Sequence, residues 1–277
     1  MTCYIIVAIY YERYLSKVLE QINATFKTFN PHIVLINNNP KEIYGAKSHN
    51  TCIKGSNAAG EFSAWDEGVA HVVSNYTIKD DDVFIFLNDT FCHHRIFTSI
   101  DRYVYRKSII TMQDNIIRGE FNQSTETLKI YDTPLKGWIS SYFFCCRWQS
   151  AKRLQPFSKA ARLDPEVKIK IQNDLRNRTV EIPFFSSGLN THLTKWLFPA
   201  GSRGWHGKSK DINDGMMFFK LQAILNEKLL SYTAVTESIN VEGIYETWLL
   251  NRYNFYRYKT YNFIRKLKLF CKSRFHK

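Results

Sequence analysis

Proline and glycine are scarce in this chain, seven and 12 residues among 277. With 44% hydrophobic and 15% aromatic residues, that scarcity excludes a collagen-like, low-complexity or mostly disordered protein. Among the six cysteines (Cys3, Cys52, Cys92, Cys145, Cys146 and Cys271) there is no C-x-x-C pair and no metal-ligand spacing. Several lie in apolar runs such as TCYIIVAIYY and YFFCCRW, where cysteine acts as a small hydrophobe, so reduced cytosolic thiols are expected. No run reaches the ~18 apolar residues of a bilayer-spanning helix. The first run, Cys3 to Tyr10, is short and follows no positive charge, which predicts a strand and not a signal peptide. Internal repeats are absent.

Acidic residues are missing from one place. Residues 252–277 hold nine Lys and Arg and no Asp or Glu, although the whole chain has 38 basic and 25 acidic residues. The net charge is +13, yet residues 1–251 contribute only 29 basic against 25 acidic, or +4. The body is ordinary and the tail is the basic object.

What the chain does have is alternation. CYIIVAIYY (3–11), HIVLINNN (32–39), TCIK (51–54) and the run ending in FIFLNDTF read as strands. Helical spacing fills the intervals 14–29 and 55–76. Strand–helix–strand order with short connections predicts a parallel sheet covered by helices on both faces. Val83 to Leu87 is continuously apolar, as a strand buried on both sides should be. In 55–76, Phe62, Trp65, Val69, Val72, Val73 and Tyr76 share a face, Glu61 and Asp66 flank it, and Glu67 and His71 point to solvent. Further on, SIITMQ (108–113) and ISSYFFCCR (139–147) read as strands and TLKIYD (127–132) as a hairpin arm. Helices are expected at 163–175, capped by Asp164 with Pro165 behind it, and at 190–198 and 211–232.

The strand ending in Asn88-Asp89-Thr90 carries the functional signal. Ligands of open α/β sheets sit at the carboxyl ends of central strands, so the triplet is either an ordinary polar turn or the floor of a site. Together, IKGSNAAGEFSAWDEGV and FIFLNDTF resemble GT-A-type glycosyltransferases, family-2-like and closest to the rhamnan-synthesis type of bacterial polysaccharide transferase. The resemblance covers about residues 3–150, with GWISSYFFCCRWQSAKRL familiar only as a strand running into a helix. It implies a GT-A-like fold with a donor-binding half (1–104), an acceptor half (105–250) and a basic helical tail (251–277). It also implies an inverting sugar transfer from a nucleotide sugar to a lipid-linked or growing surface polysaccharide of O-antigen or capsule type.

In that family an Asp-x-Asp holds a divalent cation. Here Asp89 is the only charged member, so Asn88, Asp89 and Thr90 make a weak Mg²⁺ or Mn²⁺ site, and Lys or Arg could take the cation's place. Glu61, Trp65, Asp66 and Asn37 are the other expected donor-binding residues; an ordinary amphipathic helix explains the first three equally well. The base that deprotonates the acceptor is less visible. SSGLNTHLTKWL offers Asn190 and no acid, while DINDGMMFFK offers Asp211 and Asp214 at a helix start, where an N-cap role is the plainer reading; of the two, Asp214 is the candidate base. His93-His94 and Trp205-His206 read as surface loops, with a diphosphate contact and a lid as their functional alternatives. KDDD (79–82) reads as a solvated turn.

In the tail, Tyr258, Tyr261, Ile264 and Leu267 recur every three residues, with Arg265, Lys266 and Lys268 turned elsewhere. This fits an interfacial helix on an anionic membrane, held by about 1 kcal/mol per cation, and a peripheral protein at the inner face of the cell membrane. A solvated helix is the plainer alternative. No nucleic-acid motif occurs, so nucleic acid is not an expected partner, and a non-catalytic scaffold remains the other class of function.

Overall fold

The computed structural model describes residues 1–41, 51–93, 95–199 and 213–275. Strand β1 (Cys3–Ile9) is buried along its whole length. It pairs in parallel with β2 (His32–Asn37) on one side and with β4 (Val83–Asn88) on the other, and β3 (Thr51–Lys54) continues the parallel set beyond β2. Past β4 lies β6 (Thr133–Arg147), antiparallel to it, then β5 (Ile116–Ile130) and finally β7 (Asn240–Gly243), parallel to β5. The sheet order is β3-β2-β1-β4-β6-β5-β7. The architecture is α/β, a mixed and mostly parallel sheet flanked by helices, compatible with a Rossmann-like fold.

Alternation within the buried strands assigns the layers. Ile5, Val7, Ile85 and Leu87 face helices α1 (Glu12–Phe26) and α3 (Ser99–Ile110). Tyr4, Ile6, Phe84 and Phe86 face α2 (Glu61–Asn75), α4 (Trp148–Leu154) and the far end of α7 (Asp214–Thr236). The helix leaving β1 and the helix entering β4 therefore lie on opposite faces. The gap outside the carboxyl ends of β1 and β4 is a topological switch point, where such sheets take their ligands.

The antiparallel neighbour walls that gap. Leu87 pairs with Phe143, so residues of β6 before Phe143 run on beyond the end of β4. Strands β5 and β6 have 15 residues each against six in β4, an overhang of roughly 30 Å at 3.3 Å per residue. A third core under the overhang joins Leu128, Ile130 and Leu135 to α5 (Pro165–Arg176), α6 (Ser187–Leu197) and the first half of α7. Helix α5 starts as its sequence dictates, with the Asp164 side chain accepting from Glu166 N at 2.7 Å and Pro165 in the first turn. The last helix, α8 (Trp248–Phe275), lies against α3. No helix among the described residues is long and apolar enough to cross a membrane.

Two expectations change. SIITMQ is not a strand: Ser108–Ile110 closes α3, and Thr111 and Met112 follow it. The reason is a capping box, in which Thr98 N donates to Asp101 Oδ2 at 2.7 Å and Ile100 N to Thr98 Oγ1 at 3.2 Å, while Tyr105 and Ile109 face the core. Residue 104, the expected division between the two halves of the one body, lies inside this helix, and one sheet runs through both halves. Nor is KDDD wholly solvated: Asp82 is buried and accepts from Thr2 N at 2.6 Å and Lys79 N at 2.9 Å. The thiols of Cys3 and Cys145 are pushed up to about 12, and that of Cys92 to about 11, chiefly by burial, so none is poised as a thiolate.

Helix α2 can approach the sheet only because of Gly68. A Cβ there would lie 2.3 Å from Ile6 Cγ2. Alanine would gain up to ~1 kcal/mol of helix propensity but overpack a rigid, branched neighbour by about 1–3 kcal/mol. Gly68→Ala should lower unfolding stability by about 1–2 kcal/mol in a urea titration; unchanged or higher stability would show that α2 is not seated on Ile6.

Candidate functional site

The floor of the switch-point gap is built by β4's last residues. Asp89 N donates to Ala8 O at 2.9 Å, and Asp89 Oδ2 accepts from Tyr10 N at 2.8 Å and Tyr11 N at 2.6 Å. Asp89 thus ties the ends of β1 and β4 together. It is 4% exposed, and burial raises its pKa from 3.8 to about 6, against the two amide bonds and assisted by nearby Glu61. Asn88 Oδ1 folds back to accept from Thr90 N at 3.0 Å and Thr90 Oγ1 at 2.7 Å. The triplet is therefore both the expected local turn and a link between two central strands.

Trp65 braces this floor from below. Its indole Nε1 donates to Leu87 O at 3.0 Å, and its ring lies edge-on to Phe62, Phe86, Phe144 and Phe157. With 0% exposure it has no surface for a donor, so its expected binding role becomes one of positioning. Asp66 is also committed elsewhere: its carboxylate accepts from Phe157 N at 2.7 Å, Ser158 N at 3.0 Å and Ser158 Oγ at 2.6 Å. Glu67, expected in solvent, receives the amide and hydroxyl of Ser56 and fixes the small-residue loop. Asn37 Nδ2 donates to Lys41 O at 2.9 Å and its Oδ1 accepts from Asn39 N at 2.9 Å, shaping the end of β2. The loop enters α2 at Gly60, whose φ of +61° and ψ of −137° suit glycine alone, with Asn38 Nδ2 donating to Gly60 O at 2.8 Å.

Glu61 is different. At the first position of α2 it makes no hydrogen bond or ion pair among the described residues, yet its charge reaches both Asp89 and Glu227. Glu227 comes from α7, and its Oε1 accepts from Ser141 N at 2.7 Å on the part of β6 that passes the end of β4. Burial raises the Glu227 pKa, with Lys228 and the Ser141 bond opposing and Glu61 assisting. Lys228 is buried beside it, 3.8 Å from Glu227 Oε2 and 3.4 Å above the Trp138 ring, and burial lowers its pKa to about 7. Three carboxylates from three elements thus converge on the gap. The sequence signal for Glu227 was two adjacent charges inside the apolar helix AILNEKLLSY.

Asp214 does not join them. It lies 13 residues from Glu227 on the same helix, roughly 20 Å away at 1.5 Å per residue. It is exposed beside Arg176 at 3.4 Å, and Asn213 provides the N-cap by accepting from Met216 N at 2.9 Å. The rim above β1 is aromatic: Tyr10 and Tyr11 are each 41% exposed, Arg13 lies over the Tyr11 and Tyr14 rings, and His93 stacks on Tyr14 at 4.0 Å. His94, Trp205-His206 and Asp211 lie outside the described residues.

The donor set does not fit a divalent cation held by the protein alone. Asn88 Oδ1 is taken by Thr90 and Asp89 Oδ2 by two amides, which leaves Asp89 Oδ1, and no group of three or more His, Cys, Asp or Glu among the described residues could hold a metal. An open groove of about 440 Å³ beside Ser63, Asp66, Glu67 and Arg162 lies on the outer side of α2, where both acids are already engaged. The switch-point gap is the better-built site. Comparison of the chain with protein-family models and with curated proteins finds no match to either.

The raised pKa of Asp89 has a thermodynamic consequence. The folded state holds this proton more tightly than the unfolded chain, so the associated stability is fully present below pH 3.8 and is lost as pH rises through 6. The wild type should lose up to ~3 kcal/mol between pH 4 and pH 6.5 relative to Asp89→Asn. Parallel pH–stability curves for the two proteins would refute the assignment.

Proposed function

We propose that this chain is a glycosyltransferase of GT-A type that takes a nucleotide-sugar donor at the switch point and transfers the sugar, with inversion, to a lipid-linked or growing surface glycan. The observation that carries this reading is the convergence of Glu61, Asp89 and Glu227 on one gap, two of them raised in pKa. Titratable groups perturbed together in a cleft mark functional sites. The exposed Tyr10–Tyr11 edge beside Asp89 gives a base a flat apolar surface, and Glu61, with no partner among the described residues, is placed to accept from sugar or ribose hydroxyls. Arg13 and Lys54, at the carboxyl ends of β1 and β3, are cations on the same edge of the sheet for a diphosphate.

Glu227 takes the role first looked for at Asp214. A carboxylate with a raised pKa, held by one amide and partly open, is suited to accept the proton of an acceptor hydroxyl. The acceptor oxygen would bond to the anomeric carbon as the bond to the diphosphate breaks, and the hydroxyl proton passes to Glu227. The overhanging β5–β6 hairpin with α5, α6 and α7 forms the acceptor side. No step in this scheme is routed through a metal.

Melting temperature against a panel of nucleotides and nucleotide sugars tests the reading. One nucleotide family should stabilise the wild type, and Mn²⁺ alone should not. Glu61→Gln should weaken that nucleotide sugar by about tenfold, the loss of one charged hydrogen bond. Glu227→Gln should lower turnover by about 10²–10⁴ while nucleotide-sugar stabilisation is kept, and Asp214→Asn should keep wild-type turnover. Silence toward every nucleotide would end the transferase reading in favour of a scaffold.

A further inference from the structure

The exposed side of α8 belongs to a surface that the proposed reaction does not use. Arg257 is 7% exposed and its guanidinium pairs with Asp101, which is 0% exposed. Asp101 also accepts from Tyr245 OH at 2.6 Å and Tyr253 OH at 2.8 Å, and Leu250 and Tyr253 pack on the core. These residues fix which side of the helix faces inward. Opposite them, Trp248, Leu249, Phe255, Tyr256, Phe263 and Leu267 are each 47–71% exposed. At 3.6 residues per turn they fall within about 120° of the helix circumference. Two cations stand in the middle of that stripe: Arg252 lies over the Trp248 ring at 4.5 Å and Lys259 over the Phe255 ring at 4.3 Å.

The stripe is not the one that the three-residue spacing suggested. Tyr261 is half-buried and turned towards the body, and a period of three walks steadily around an α-helix. Nor are all nine cations available to a partner, because Arg257 is committed to Asp101.

We infer that this face of α8 is an interfacial surface for an anionic lipid bilayer. Large apolar side chains alternating with cations along one stripe, with no acid from residue 252 to 277, match a membrane interface in both hydrophobicity and sign of charge. Scattered apolar residues on a soluble surface need no explanation, but a continuous aromatic and cationic stripe does. Its position adds meaning. Tyr253 OH bonds Thr98 Oγ1 at 2.6 Å at the start of α3, and Tyr261 lies in the field of Tyr14 in α1. Both helices begin at the carboxyl edge of the sheet, so α8 borders the mouth of the switch-point gap. The membrane contact stands on α8 alone; only the arrival of a lipid-linked acceptor there rests on the function proposed above.

The test is flotation of the full chain with vesicles of phosphatidylcholine alone or with about one third phosphatidylglycerol. The wild type should float with the anionic vesicles only, release as salt rises, and show a blue shift of Trp emission that Trp248→Phe diminishes. Phe255→Ser/Phe263→Ser and Arg252→Glu/Lys259→Glu should each cut binding by about tenfold or more at unchanged melting temperature. Binding to neither vesicle, binding that both double variants retain, or a lowered melting temperature showing the stripe to be packed would overturn it. So would salt-dependent oligonucleotide binding through these residues without flotation. The readout needs no nucleotide, so its failure and that of the transferase reading are separate results.

Discussion

One carboxylate holds the centre of this molecule together. Asp89 closes the end of β4 onto the end of β1 through two amides that would otherwise be left over where β1 stops pairing. Its position fixes Tyr10 and Tyr11 at the rim, and Trp65 holds the Leu87 carbonyl from behind. Because the charge is buried, this junction is stable only while the amides point at it. The same few bonds that finish the sheet also define the floor of the gap.

Charge use elsewhere sharpens the distinction between scaffold and site. Asp66, Glu67, Asp82 and Asp101 each receive backbone amides, hydroxyls or a guanidinium, so their charge is spent on the fold. Those bonds connect segments far apart in the chain, such as Asp66 with Phe157 and Asp101 with Arg257. Glu61 remains without a partner among the described residues, and Glu227 keeps one oxygen near Lys228.

The sequence pattern was legible where periodicity governs. Continuous apolar runs gave β1, β2 and β4, and Pro165 behind Asp164 gave the start of α5. It misled where a side chain acts on a distant or local backbone group. SIITMQ has the composition of a strand, and only the Thr98–Asp101 capping box shows it to be a helix end. Asp66 and Trp65 are expected from the sequence to bind the donor, and long-range bonds to Phe157, Ser158 and Leu87 occupy them instead. Glu227 escaped notice because helix-start acids drew attention to Asp214, while the charges inside an apolar helix were the informative pair. The basic tail was conspicuous, but its outward side depended on Arg257, whose partner lies 156 residues earlier.

The Arg257–Asp101 pair also sets how the body moves relative to whatever α8 touches. A tail joined by a flexible linker would let the gap wander through a volume set by linker length, in any orientation. A helix locked into the core by a buried ion pair and two tyrosine hydroxyls transmits its own attitude to the whole sheet. For a helix resting on a bilayer, the sheet and its gap then stay at a constant height and tilt, and the body is left free only to diffuse laterally in a plane. Freeing the helix would leave Asp101 charged in the core, so the molecule cannot exchange that fixed attitude for a longer reach without loosening the face of the sheet that α1 and α3 cover.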